Sequence, residues 1–118
     1  MATPRIKVAV VGYGNVGRCA VESILVEPDM KLVGVVEVPA FITKQDRLTE
    51  RDPIGMQNVK LASDIEDLGA IDVAIVSCPS RAVCKAVEPI LKRGIRTVDS
   101  FDIHHEIPTL RKQLDKVA

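Results

Sequence analysis

Tryptophan is absent from this 118-residue chain, and its other aromatics amount to one Tyr and two Phe. There is little with which to stack on bases. Neither charge sign is in excess, since 16 Lys and Arg balance 16 Asp and Glu. Both observations argue against a nucleic-acid binder, which needs a basic face and usually an aromatic platform. No apolar run approaches the roughly 18 to 20 residues that span a bilayer. The first residues, M-A-T-P-R-I-K, lead straight into an apolar strand without a signal-peptide layout. Cysteine is scarce and odd in number. Cys19, Cys78 and Cys84 lack C-x-x-C spacing, which excludes a disulfide framework or zinc knuckle as the expectation. These absences leave a cytoplasmic protein with buried or half-buried thiols, long enough for one domain with a real core but not for two.

What is present is organised around the stretch from Lys7 to Arg18, K-V-A-V-V-G-Y-G-N-V-G-R. Small and β-branched residues (Val8, Ala9, Val10, Val11) stop at Gly12. Gly12, Gly14 and Gly17 follow with G-x-G-x-x-G spacing, and Val16, Ala20, Val21, Ile24 and Leu25 then recur at helical spacing. The glycines thus lie where a buried strand passes into a helix. Gly12 permits a tight turn, Gly14 lets backbone approach a pyrophosphate, and Gly17 lets helix and strand pack closely. The helix offers its unpaired N–H groups and positive dipole end to the phosphates. The spacing alone is weak evidence, but the strand before and helix after supply the context that makes dinucleotide binding the favoured reading. A turn used only for packing is the alternative.

The rest of the chain alternates between strand and helix patterns. Strands are expected at residues 6–11, 31–36, 59–61, 71–76 and 95–98. Helices are expected at residues 15–26, 80–93 and 109–117, with a brief turn capped by Ser63 or Asp64. Gly94 reads as a helix stop, Pro89 as a kink and Pro108 as a first-turn proline. Residues 39–58 are irregular, and read as a long mobile excursion with room for a short helix. Apolar strands separated by helices imply an α/β fold: a Rossmann-type doubly wound parallel sheet in three layers, in strand order 3-2-1-4-5, forming a single domain.

In such a sheet the ligand lies outside the carboxyl ends of the strands. Four turns are therefore candidates. The first contributes Gly12, Tyr13, Gly14, Asn15 and Val16. The second begins with Glu37, 20 residues after Gly17, an acid placed to accept hydrogen bonds from a ribose and to repel a 2′-phosphate. That favours NAD; a solvated strand-end glutamate is the alternative. Lys44 and Arg47 follow in the irregular stretch. The third turn, Ser77, Cys78, Pro79 and Ser80, either lines the nicotinamide side or supplies a helix cap in Ser80, and the two roles are compatible. The fourth, Asp99, Ser100, Phe101 and Asp102, puts two carboxylates where they would hold a substrate ammonium, with plain turn chemistry as the alternative. His104, His105 and Glu106 read as surface residues, and no metal site is expected.

Four stretches carry a family resemblance: V-A-V-V-G-Y-G-N-V-G-R, P-D-M-K-L-V-G-V-V, R-G-I-R-T-V-D-S-F-D-I-H and the tail L-R-K-Q-L-D-K-V-A. Together they closely resemble meso-diaminopimelate dehydrogenase, over nearly the whole chain except about residues 37–57. The resemblance implies an NADP-dependent oxidoreductase of lysine biosynthesis that oxidatively deaminates the D-centre of meso-2,6-diaminopimelate. It implies pyrophosphate contacts from Tyr13, Gly14, Asn15 and Val16, and further cofactor contacts from Ser77 through Ser80 and from Ser100, Phe101 and Asp102. Asp102 would also face the substrate, with Asp99 nearby; the resemblance nominates no catalytic base. Two departures accompany it. Glu37, Val38 and Pro39 stand where the family has arginines that clamp the 2′-phosphate. The family chain also continues into a substrate and dimerisation domain, so a cofactor-binding part that does not turn over alone is expected here, with a homo-oligomer in the intact family. A stand-alone dinucleotide-sensing domain, and a Rossmann scaffold without ligand, are the competing readings.

Overall fold

The computed structural model describes residues 4–37 and 59–118. Five parallel strands form one sheet in the order β3-β2-β1-β4-β5. They are β1 (Ile6–Val11), β2 (Met30–Val36), β3 (Leu61–Ala62), β4 (Val73–Val76) and β5 (Arg96–Asp99). Among the described residues three helices accompany the sheet: α1 (Asn15–Leu25) between β1 and β2, α2 (Ser80–Lys92) between β4 and β5, and α3 (Ile107–Val117) after β5. Short 3-10 turns occupy Ile65–Leu68 and His104–Glu106.

The central strand shows why the chain needs helices on both faces. Successive side chains of a strand point to opposite faces. Val8 and Val10 enter one core with Val21 and Ile24 of α1, Val35 of β2 and Leu61 of β3. Ala9, between them, enters the other core with Ala74 and Val76 of β4 and Val83, Val87 and Ile90 of α2. Leu110 and Leu114 of α3 pack onto the margin of that second core. The three layers and the strand order follow the sequence expectation, since strands buried on both faces cannot alternate apolar with polar residues.

Several boundaries differ from the sequence pattern. Strand β3 forms at Leu61–Ala62 rather than residues 59–61, because Val35 and Val36 of β2 pair with those two residues. The neighbouring 3-10 turn is capped by Asp64, whose carboxylate accepts the Glu66 N–H at 2.9 Å. The shorter two-residue reach of Asp64 replaces the Ser63 box. Strands β4 and β5 begin later than the apolar runs do, with Val73 paired to Arg96 and Val76 to Asp99. Helix α2 runs continuously through Pro89 and ends before Gly94, which has φ +77°. Pro108 sits in the first turn of α3, which starts two residues earlier than its apolar pattern. The irregular stretch at residues 39–58, with Lys44 and Arg47, lies outside the described residues. Among the described residues no helix is long and apolar enough to cross a membrane.

The core makes a direct prediction. Val10 is fully buried, whereas Val98 on the outer strand is 60% exposed. Val10→Ala should lower unfolding stability by about 2 kcal/mol. Val98→Ala should change it by less than about 0.5 kcal/mol. Urea unfolding followed by circular dichroism reads both.

Candidate functional site

Strand β1 ends against α1 through an unusually close contact. A Cβ on Gly17 would fall 2.0 Å from the Gly12 carbonyl oxygen and 2.7 Å from Ser77 Oγ. Gly12 itself has φ +93°, a conformation other residues resist. Both glycines are therefore required by the chain itself. Gly14 is different: its φ is −84°, and a Cβ there would meet nothing within 4 Å. Folding does not demand glycine at that position, and the empty space beside it opens into a cleft.

That cleft measures about 720 Å3 and lies at the carboxyl ends of β1, β2, β4 and β5. Gly12, Tyr13, Gly14 and Val16 form one wall, with Glu37 from the end of β2. Ser77, Cys78, Pro79, Ser80 and Ala82 form the β4 side, with Ser100 and Asp102 beyond β5. Val16 is 56% exposed in the first turn of α1, an apolar surface turned to the opening. Helices α1 and α2 both begin at this cleft. Neither carries an acidic residue in its first turn or a side-chain cap on its first N–H groups. Their positive dipole ends are left to whatever occupies the cleft.

Side chains tie the strand ends together around the opening. Glu37 Oε2 accepts the Tyr13 N–H at 2.8 Å. The Ser77 hydroxyl donates to the carbonyls of Gly12 at 2.8 Å and Val11 at 3.1 Å. The Ser80 hydroxyl donates to Asp102 Oδ1, and the Asp102 N–H donates back to Ser80 Oγ at 2.9 Å. Ser80 is therefore not a cap: Pro79 occupies the cap position, and the hydroxyl is turned across to the β5 turn. This clasp fixes the Asp102 carboxylate at the cleft.

The sequence-named site residues thus converge, with three placed elsewhere. Asn15 is exposed at the start of α1 but does not line the cleft. Phe101 packs on the second core and faces grooves against α3. Asp99 lines a groove with Leu110, Arg111 and Leu114 of α3, and its carboxylate accepts the Phe101 N–H at 3.0 Å, the turn-chemistry alternative in sequence terms. His105 Nε2 lies 3.9 Å from Glu106 Oε1 on the surface. Ala82 was missed by the sequence reading; in the first turn of α2, it looks like any other apolar helix residue. Cys78 is half-buried in the cleft. Burial pushes its thiol up, a backbone hydrogen bond opposes that, and the nearby Asp99 carboxylate adds to it.

No family model matches the chain. A meso-diaminopimelate D-dehydrogenase of Bacteroides fragilis is 39% identical over 114 residues, covering 97% of this chain and 36% of the relative. A solved C. glutamicum DAP dehydrogenase in complex with DAP superposes with a TM-score of 0.73 at 27% identity, over 98% of this chain and 33% of that one. An engineered D-amino acid dehydrogenase bound to NADP+ gives a TM-score of 0.68 at 30% identity, over 97% and 33%. The chain therefore resembles meso-diaminopimelate dehydrogenases over almost its entire length, and spans about a third of theirs.

Two predictions arise from the site. Gly17→Ala should destabilise by about 2 kcal/mol or more, because the added carbon meets backbone. Gly14→Ala should cost less than about 1 kcal/mol, and thermal unfolding compares the two. The raised Cys78 pKa favours the protonated thiol at neutral pH. Its iodoacetamide labelling at pH 7 should therefore be slower than that of an unhindered model thiol. It should accelerate as pH rises beyond the ordinary thiol value of about 8.5, read by mass spectrometry of the Cys78 peptide.

Proposed function

We propose that this chain belongs to the meso-diaminopimelate dehydrogenase family and is its dinucleotide-binding part, serving oxidative deamination of an amino-acid substrate. One observation carries the reading. Gly14 lacks a side chain for no reason internal to the fold, and it lines a cleft into which two uncapped helix N-termini open. A pyrophosphate is the ligand that needs both features. The backbone of Gly12 through Val16 would hold it. Cys78, Pro79, Ser80, Ser100 and Asp102 would border the nicotinamide end.

NADP is the cofactor in this reading, supported by the NADP+ bound to the engineered relative. In this reading the Tyr13 N–H, donating to Glu37 Oε2, draws the strand-end carboxylate toward the glycine turn. When bound, the dinucleotide supplies hydride chemistry at its nicotinamide ring. The chain's part is to orient the ring and to present the fixed Asp102 carboxylate toward an amine. The remaining two thirds of the relatives' length would supply most of the substrate pocket and the contacts of a homo-oligomer. A cytoplasmic location accompanies this metabolic role.

Titration of the chain with NADPH and, separately, NADH, followed by nicotinamide fluorescence, tests the reading. NADPH should bind more tightly, and Gly14→Ala should weaken binding by on the order of tenfold while leaving the fold intact. Binding of neither nucleotide would refute the assignment. Tighter binding of NADH would refute its NADP element alone.

A further inference from the structure

The Gly12–Tyr13 peptide group is held at both ends by side chains from different strands. Its carbonyl accepts the Ser77 hydroxyl at 2.8 Å, from the residue just after β4. Its N–H donates to Glu37 Oε2 at 2.8 Å, from the residue just after β2. Strands β2 and β4 flank β1 in the sheet, so the two side chains reach this peptide from opposite sides. No peptide bond among the described residues is cis, so the carbonyl and N–H point in opposite directions. Fixing both leaves the plane a single orientation.

Such a hold matters because Gly12 precedes the plane. With φ +93° and no Cβ, Gly12 permits rotations that another residue would resist. Rotation of the plane would redirect the backbone of Gly14, Asn15 and Val16, where α1 begins. We propose that Glu37 and Ser77 are a pair of positioning residues. They clamp this one peptide and so preset the turn for a dinucleotide pyrophosphate, with Glu37 acting through Tyr13 rather than by reading the ribose. The inference rests on the dinucleotide reading for its ligand, but the clamp is measurable without one.

Amide hydrogen exchange at Tyr13, by NMR on the chain without ligand, tests the clamp. Ser77→Ala removes the hydroxyl that holds the carbonyl, and Glu37→Ala removes the acceptor of the N–H. Each should speed Tyr13 exchange by roughly two- to tenfold relative to the β1 amides, which report global opening. Glu37→Gln keeps an acceptor oxygen and should exchange as the wild type does. In NADPH and NADH titrations, each alanine variant should weaken both nucleotides by the same factor, roughly two- to tenfold. The double variant should lose no more than the weaker-binding single variant, because both act on one group. Glu37→Gln should leave the ratio of the two affinities unchanged. Wild-type exchange at Tyr13 in Ser77→Ala would overturn the clamp. A rise in NADPH preference in Glu37→Gln would overturn the claim that the carboxylate acts through the turn. If the wild type binds neither nucleotide, the dinucleotide reading fails, and the exchange measurement still decides the clamp.

Discussion

The start of α1 is pressed against the end of β1 so tightly that the Gly12 carbonyl and Ser77 Oγ leave no room for a Cβ on Gly17. The rest of the site depends on that contact. It sets where α1 begins, aims its first N–H groups over the end of the sheet, and carries Val16 to the cleft. The same helix then buries Val21 and Ile24 against Val8 and Val10, so the packing that stabilises the fold also fixes the direction of its positive end. Each of those contacts is small alone, but the buried valines together are the main favourable term for a domain with few aromatics.

Around the opening, hydrogen bonds do what packing cannot. The strands end in polar turns that are half-buried or exposed, where apolar contacts are few. The Ser77 and Glu37 bonds tie the first turn to its neighbours, and the reciprocal Ser80–Asp102 bonds tie α2 to the turn after β5. The cleft is thus lined by groups already committed to one geometry. That lowers the ordering cost of binding, which matters more for affinity than the area covered. It also keeps two carboxylates, Glu37 and Asp102, from swinging freely across the cleft.

The fold was largely legible in the sequence because its signals are redundant. Short apolar runs such as V-A-V-V and V-A-I-V, rich in β-branched residues and bounded by turn residues, favour buried strands, and G-x-G-x-x-G between strand and helix narrows the topology further. Most of the cleft was legible for the same reason, since the carboxyl ends of parallel strands are a geometric consequence of the fold. Side-chain direction was not. Ser80 read as a cap, yet its hydroxyl turns to Asp102. Asp99 read either as half of a carboxylate pair with Asp102 or as plain turn chemistry, and the pattern could not choose; it closes its own turn and faces α3. Glu37 read as a ribose acceptor or a solvated strand-end acid, and neither reading showed that its Oε2 accepts the Tyr13 N–H. Each depends on which partner a short polar side chain finds across a gap in sequence, and no local pattern encodes that. The short strand β3 was misplaced because two residues carry almost no periodicity and pairing with β2 decides their position.

The central claim is that a dinucleotide lies across the carboxyl ends of the strands with its pyrophosphate over the glycine turn. NMR chemical-shift mapping of the chain with saturating NADPH tests it most directly. The account predicts the largest amide shifts at Gly14, Asn15 and Val16, with further shifts at Cys78, Ser80, Ser100 and Asp102, and little change along the α3 groove lined by Leu110 and Leu114. Shifts concentrated in that groove, with the glycine turn unmoved, would contradict it.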